Sequence, residues 1–138
     1  MSVKQVTVFI ANTEGRIERV TEVLKENDIN ITSLSLAESV DFGLLRLIVS
    51  DPDKAKAVLK GAGLSAKTTE VIAVEISNAP GSLHGLLTAV KDFNIEYMYV
   101  LSATDKASMV MKIRNIKEAE KLLDSKGFKV LTHEEVNK

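Results

Sequence analysis

The sequence repeats itself. Asn12, Gly15, Ile17 and Ile29 match Asn78, Gly81, Leu83 and Ile95 at an offset of 66 residues, and Ala55, Leu59 and Gly63 match Ala119, Leu123 and Gly127 at an offset of 64. Both halves must then build the same small unit, which narrows the available folds more than any other feature. The change of offset means that the second copy is two residues shorter, and the matches place the loss between about residues 97 and 115. A hairpin loop tolerates such a loss better than a paired strand does. A unit of roughly 65–70 residues buries a modest share of its surface, so close packing of the units is expected.

In the first copy Val6, Val8 and Ile10 alternate as in a strand, and ANTEG breaks the pattern. A helix follows, with Ile17, Val20, Val23 and Leu24 on one face and charged residues on the other. Asn27–Asp28 ends it, Ile29 to about Glu38 reads as a second strand, Ser39–Phe42 as a turn, and Gly43–Val49 as a third strand. Asp51–Pro52 sets an N-cap before a proline at the first helical position. That helix points Ala55, Val58 and Leu59 inward, stops at Gly61–Gly63, and leads to a strand over Leu64–Thr69.

The second copy repeats the order: a strand at Val71–Ile76, a helix carrying Leu83, Leu86, Leu87, Val90 and Phe93, and a strand from Ile95. A strand at Ser108–Ile113, a helix with Ile116, Ala119, Leu122 and Leu123, and a strand at Phe128–Leu131 complete it, with Glu134–Lys138 as a polar tail. The predicted fold class is α+β: two tandem ferredoxin-like βαββαβ units, residues 1–70 and 71–138, each a four-stranded antiparallel sheet with two helices on one face. Only Glu70 separates the two copies, so the units are expected side by side.

Several functions are disfavoured by composition. A net charge of −1 offers no basic field for nucleic acid or an anionic membrane, and the absence of cysteine removes disulfides, thiolate metal sites and a Cys nucleophile. The amino terminus runs straight into a strand pattern and no apolar stretch reaches the ~20 residues of a membrane span. A soluble cytoplasmic protein is expected, with no membrane partner and no cofactor.

Chemistry concentrates in two loops that open a helix after the first strand of each copy: Ala11-Asn12-Thr13-Glu14-Gly15-Arg16-Ile17 and Ser77-Asn78-Ala79-Pro80-Gly81-Ser82-Leu83. The glycine can take positive φ and lets another group approach the backbone. The first amides of the following helix lack intrahelical partners and suit a carboxylate. Asn12 and Asn78 add a side-chain amide that donates and accepts. The same residues equally serve as turn formers, and the sequence leaves both readings open.

Strand–NxPG–helix followed by an Asn at the start of the second strand resembles the ACT domain, a ferredoxin-like module that senses amino acids. Asn78–Leu83 carries the motif, the likeness extends over both copies, and Ala37–Leu59 resembles the free-standing tandem ACT proteins, which have no catalytic domain. The resemblance implies that loop amides and the loop Asn hold an amino acid, with the second Asn assisting, at an interface between two ACT domains. The implied positions are Asn12, Gly15 and Asn30 in the first copy and Asn78, Pro80 and Gly81 in the second, with Glu96 where the second Asn is expected. Glu14, Arg16, Ile17, Ala79, Ser82 and Leu83 line the same loops. Tyr97, with Met98 and Tyr99, is a candidate for the far wall or for core packing. Glu14 stands in place of the motif's proline, and Glu96 accepts from an ammonium but repels a carboxylate, so unequal sites are expected.

Other chemistries have less behind them. His84 and His133 have no metal-ligand spacing, and Ser82 lies in no G-x-S-x-G elbow. An acylphosphatase-like enzyme needs a phosphate-cradling loop with an Arg; Arg16 and Arg46 exist, but neither loop forms such a cradle. RNA-binding sheets carry stacking aromatics, and Leu44–Val49 has none. The expected function is therefore a non-enzymatic regulator that binds an amino acid or related small carboxylate. It is expected as a homodimer with a further protein partner; an interaction module without a ligand is the second reading.

Overall fold

The computed structural model describes residues 3–11, 13–38 and 41–137. It divides into two compact units, one formed by Lys4–Thr69 with Asn137, the other by Val3 with Glu70–Val136.

The first unit runs β1 (Val3–Ala11), α1 (Arg16–Glu26), β2 (Ile31–Glu38), β3 (Phe42–Val49), α2 (Pro52–Gly61) and the first part of β4 (Ser65–Ser77). Its strands lie in the order β2-β3-β1-β4. Antiparallel β1 and β3 pair with Val6 opposite Leu47 and Ala11 opposite Phe42, while β2 pairs with β3 from Ile31–Val49 to Glu38–Gly43. The alternation puts Val6, Val8, Ile10, Leu45, Leu47 and Val49 on one face, where Val20, Val23 and Leu24 of α1 and Ala55 and Leu59 of α2 cover them. Asp51 caps α2 by accepting from the Lys54 amide at 3.1 Å, ahead of Pro52. Ile17 departs from the expected burial: it lies in the first turn of α1, on the side that the periodicity points inward, and is 37% exposed.

The second unit uses the remainder of β4, then α3 (Ser82–Ala89), β5 (Ile95–Ala103), β6 (Lys106–Ile113), α4 (Ile116–Ser125) and β7 (Lys129–Val130). Its order is β7-β4-β6-β5, all antiparallel. Ile72, Val74, Met109, Met111 and Ile113 meet Leu86 and Ala89 of α3 and Ala119 and Leu123 of α4 in a second core. In both units, then, two helices cover one face of an antiparallel sheet.

Four local expectations change. Glu70 is no separator: Ser65–Ser77 is one uninterrupted strand whose ends serve different units. Phe42 belongs to β3 rather than to a turn, and Ser39 and Val40 lie outside the described residues.

The two-residue loss also lies elsewhere than in the hairpin. The ladders align Ile31–Val49 with Ile95–Ile113 and Leu34–Leu47 with Met98–Met111, so the offset is already 64 at the start of the second strand. The missing residues come from the end of the helix, α3 spanning 8 residues where α1 spans 11.

Finally, the polar tail contains a helical turn, α5 (His133–Val136), with Val136 buried. Thr132 and Glu135 explain it. The Thr132 amide donates to Glu135 Oε1 at 3.0 Å and the Glu135 amide to Thr132 Oγ1 at 3.3 Å, a reciprocal capping box. The Thr132 amide, followed by Lys129, holds the Glu135 carboxyl below its ordinary pKa, against a smaller opposing effect of burial. A depressed carboxylate stabilises the fold above its unfolded pKa and loses that contribution as pH falls through the folded value. NMR of the α5 amides is accordingly expected to show the turn fraying below the ordinary carboxylate range, with Glu135→Ala, which has no acceptor for the Thr132 amide, frayed at every pH.

Candidate functional site

In the second unit, β4 ends at Ser77, and Asn78 leaves the strand tied to the β5–β6 hairpin. Its backbone amide donates to Asp105 O at 3.1 Å and its side-chain Nδ2 to Thr104 O at 2.7 Å. The carboxamide nitrogen therefore holds the loop in shape. Ala79 and Pro80 are exposed, the Ser82 amide donates to Ala79 O, and Gly81 sits at φ +86° as the N-cap of α3 without any side-chain cap. A Cβ at Gly81 would meet nothing within 4 Å, so backbone conformation alone demands glycine there. Ser82 Oγ lies 2.6 Å from Ser77 Oγ, and Leu83 is 42% exposed.

The first unit repeats this arrangement. Gly15 has φ +78° and caps α1 without a side chain, Glu14 is exposed, and Arg16 Nε donates to Thr13 Oγ1 at 3.4 Å. Asn12 lies outside the described residues. Both loops thus present uncapped first-turn amides beside an exposed aliphatic side chain, Ile17 or Leu83.

The second-strand positions lie far from these loops within their own unit. Asn30 precedes β2 and exchanges hydrogen bonds with Ser50, its amide donating to Ser50 Oγ and its carbonyl accepting from Ser50 N, both at 3.0 Å. Ser50 follows Val49, whereas the Gly15 loop follows Ala11, which pairs with Phe42 at the other end of β3. Phe42 and Val49 are seven residue steps apart on β3, roughly 23 Å along the strand. Glu96 of the second unit likewise sits at the Ile113 end of β6, with Lys112 Nζ 3.3 Å from its carboxylate, while Asn78 is at the Lys106 end.

The ladder register also replaces Glu96 by Asn94. The Asn94 carbonyl accepts from Arg114 N at 3.1 Å as the Asn30 carbonyl accepts from Ser50 N, and each asparagine precedes the isoleucine that opens the strand. The repeated Asn-Ile dipeptide was the available signal. Both copies therefore carry the second asparagine. Tyr97 and Tyr99 pair with Lys112 and Val110, while Met98 packs into the core opposite Met111, so these three residues do not share one surface.

A family model for an ACT domain pair matches residues 1–138. The chain belongs to this family of paired ACT domains. ACT domains are regulatory, ligand-binding modules, so both βαββαβ units are ACT domains. Among solved structures, protein BT0572 from Bacteroides thetaiotaomicron is 36% identical, with a TM-score of 0.95 over 100% of this chain and 97% of that one. The ligand-free regulatory subunit of aspartate kinase from Thermus thermophilus is 17% identical, with a TM-score of 0.63 over 88% of this chain and 89% of that one. A putative C-terminal regulatory domain of aspartate kinase from Porphyromonas gingivalis is 14% identical, with a TM-score of 0.56 over 91% and 94%. The latter two likenesses concern the fold alone. No curated protein matches the sequence.

Among the described residues of this ACT pair, no group of three or more His, Cys, Asp or Glu is placed to hold a metal ion, and no helix is long and apolar enough to cross a membrane. Arg16 opens α1, whereas Arg46 lies in the middle of β3 opposite Thr7 and Ser35; they occupy different parts of the unit.

Proposed function

We propose that this ACT pair is a non-enzymatic sensor of a free amino acid or a related small carboxylate. The ligand is held between an ACT unit of one copy of the chain and an ACT unit of a second copy. The observation that carries this reading is the opposition of the loop and the second-strand asparagine at the two ends of each sheet. Antiparallel pairing of like edge strands from two copies would set the loop end of one sheet against the asparagine end of the other. The loop glycines and first-turn amides then take the carboxylate, and Asn30 or Asn94 takes the ammonium through its side-chain oxygen.

The edges support this. β2 and β5 each have a strand on one side only, and Leu34, Leu36 and Val100 on them are 52%, 50% and 51% exposed. A long edge with exposed aliphatic side chains is a site for pairing with another chain. A ligand that bridges two copies stabilises the assembled state and so biases whatever partner reads that state.

Sedimentation velocity tests this reading. The wild-type chain is expected to sediment as a dimer, more completely so with a mixture of amino acids present, and the triple variant Leu34→Lys, Leu36→Lys, Val100→Lys, altered at both edges, as a monomer indifferent to the mixture. A wild-type chain that stays monomeric with or without the mixture would remove the shared site.

A further inference from the structure

The segment after β7 makes a contact that the shared site does not use. Thr32 Oγ1 donates to Asn137 Oδ1 at 2.6 Å, and both residues are half-buried. Asn137 counts with the first unit although α5, which ends at Val136, belongs to the second. Thr32 lies where the β2–β3 ladder passes from Ile31–Val49 to Ser33–Ile48, which makes it the extra residue of a β-bulge at the opening of an edge strand. Asn30, whose main chain is bonded to Ser50, lies two residues before it.

The second copy has the same bulge with a different fastening. Its ladder passes from Ile95–Ile113 to Tyr97–Lys112, so Glu96 is the extra residue, and Lys112 of the neighbouring strand holds the Glu96 carboxylate at 3.3 Å. The first copy has the fully buried Ile48 where the second has Lys112, and an isoleucine cannot bond to a bulge residue. Asn137 supplies that partner from outside the repeat.

Asn137 directly follows α5, whose Thr132–Glu135 capping box sets its place. We infer that Asn137 is a latch on the bulge of β2: with α5 folded it fixes Thr32 and through it Asn30, and with α5 frayed it releases both. The consequence for ligand rests on the shared site. The Asn30 end of that site is controlled by the segment after β7, whereas the Asn94 end has its own Lys112–Glu96 fastening. Asn137 is thus a positioning residue that acts through Thr32 rather than on the ligand.

Amide hydrogen exchange of the full chain tests the latch without any ligand. Asn137→Ala and Thr32→Val are each expected to lower protection of the Asn30 and Ser50 amides roughly fivefold, the worth of one hydrogen bond, and the double variant no further. Glu135→Ala leaves both bonded residues in place and is expected to reproduce the pattern. The Arg114 amide, which makes the corresponding bond to Asn94 in the second copy, is expected to keep its protection in Asn137→Ala and Thr32→Val. Protection at Asn30 and Ser50 that ignores either Asn137→Ala or Glu135→Ala would overturn the inference.

A second measurement reads the site. In Gly81→Val protein the remaining thermal shift with amino acids comes from the Gly15 loop and Asn30. Adding Asn137→Ala is expected to lower it further, and Asn137→Asp, which keeps an acceptor for Thr32, to restore it. In Gly15→Val protein Asn137→Ala is expected to leave the shift unchanged. Equal losses in the two backgrounds would reduce Asn137 to a stabilising residue and overturn its positioning role. A wild-type chain that responds to no amino acid would remove the shared site, and hydrogen exchange would then decide the latch alone.

Discussion

Gly81→Val is expected to destabilise the second unit by about 2 kcal/mol and to reduce any rise in melting temperature that an amino acid produces in the wild-type chain, the remainder coming from the Gly15 loop. The destabilisation comes from the backbone: φ at Gly81 is +86°, a region that costs an L residue about 1–2 kcal/mol and a β-branched one at least as much. Steric contact adds nothing, because a Cβ there meets no atom within 4 Å. The weaker response comes from the same change, since relieving the strain turns the first amides of α3 away from the loop. Gly85 supplies the control. It lies within α3, also in open space, and Gly85→Ala is expected to stabilise by about 0.5–1 kcal/mol while the response stays intact. Chemical denaturation with and without amino acids separates the two effects.

The largest effect on stability is expected at Leu47. Its side chain is fully buried in the first core, in the middle of β3, between Val6 on β1 and Leu34 on β2. Leu47→Ala removes three buried carbons from a close-packed site and is expected to cost about 2–5 kcal/mol, a large part of the roughly 5–15 kcal/mol that hold a domain folded. Leu34, its direct cross-strand neighbour on the same sheet face, is half exposed, and Leu34→Ala is expected to cost less than about 1 kcal/mol of fold stability. The contrast separates core from edge: Leu47→Ala lowers the denaturation midpoint, and Leu34→Ala weakens self-association instead. A similar fall at both positions would mean that Leu34 is a core residue and β2 no docking edge.

Much of this architecture is legible in the sequence because two levels of pattern agree. The alternation of Val6, Val8 and Ile10, the Asp51–Pro52 cap and the glycines at 15, 63, 81 and 127 each correspond to an observed strand, cap or positive-φ turn. What the sequence hides has physical causes. A strand has a period of two, so offsets of 66 and 64 both keep apolar residues opposite apolar residues; only the hydrogen-bonded ladder reveals that Asn94, and not Glu96, corresponds to Asn30. Ile17 fits the helix periodicity yet is 37% exposed in the first turn of α1, so periodicity alone counts it as buried. Thr132-x-x-Glu135 is a capping box too short for any periodic signal, which is why α5 looks like a polar tail. The loops at Gly15 and Gly81 are recognisable from their residues, but their distance from Asn30 and Asn94 depends on strand order, which no local pattern contains.

The most direct test of the sensor is a thermal-shift screen of the full chain against the twenty amino acids, each at about 10 mM, because a ligand selective for the native state must raise the midpoint by mass action. A selective rise with one amino acid or a chemically related few, smaller in Gly81→Val and absent in the double variant Gly15→Val, Gly81→Val, is the predicted result. A midpoint that none of the twenty moves would contradict amino-acid sensing and leave the pair of ACT units as an interaction module.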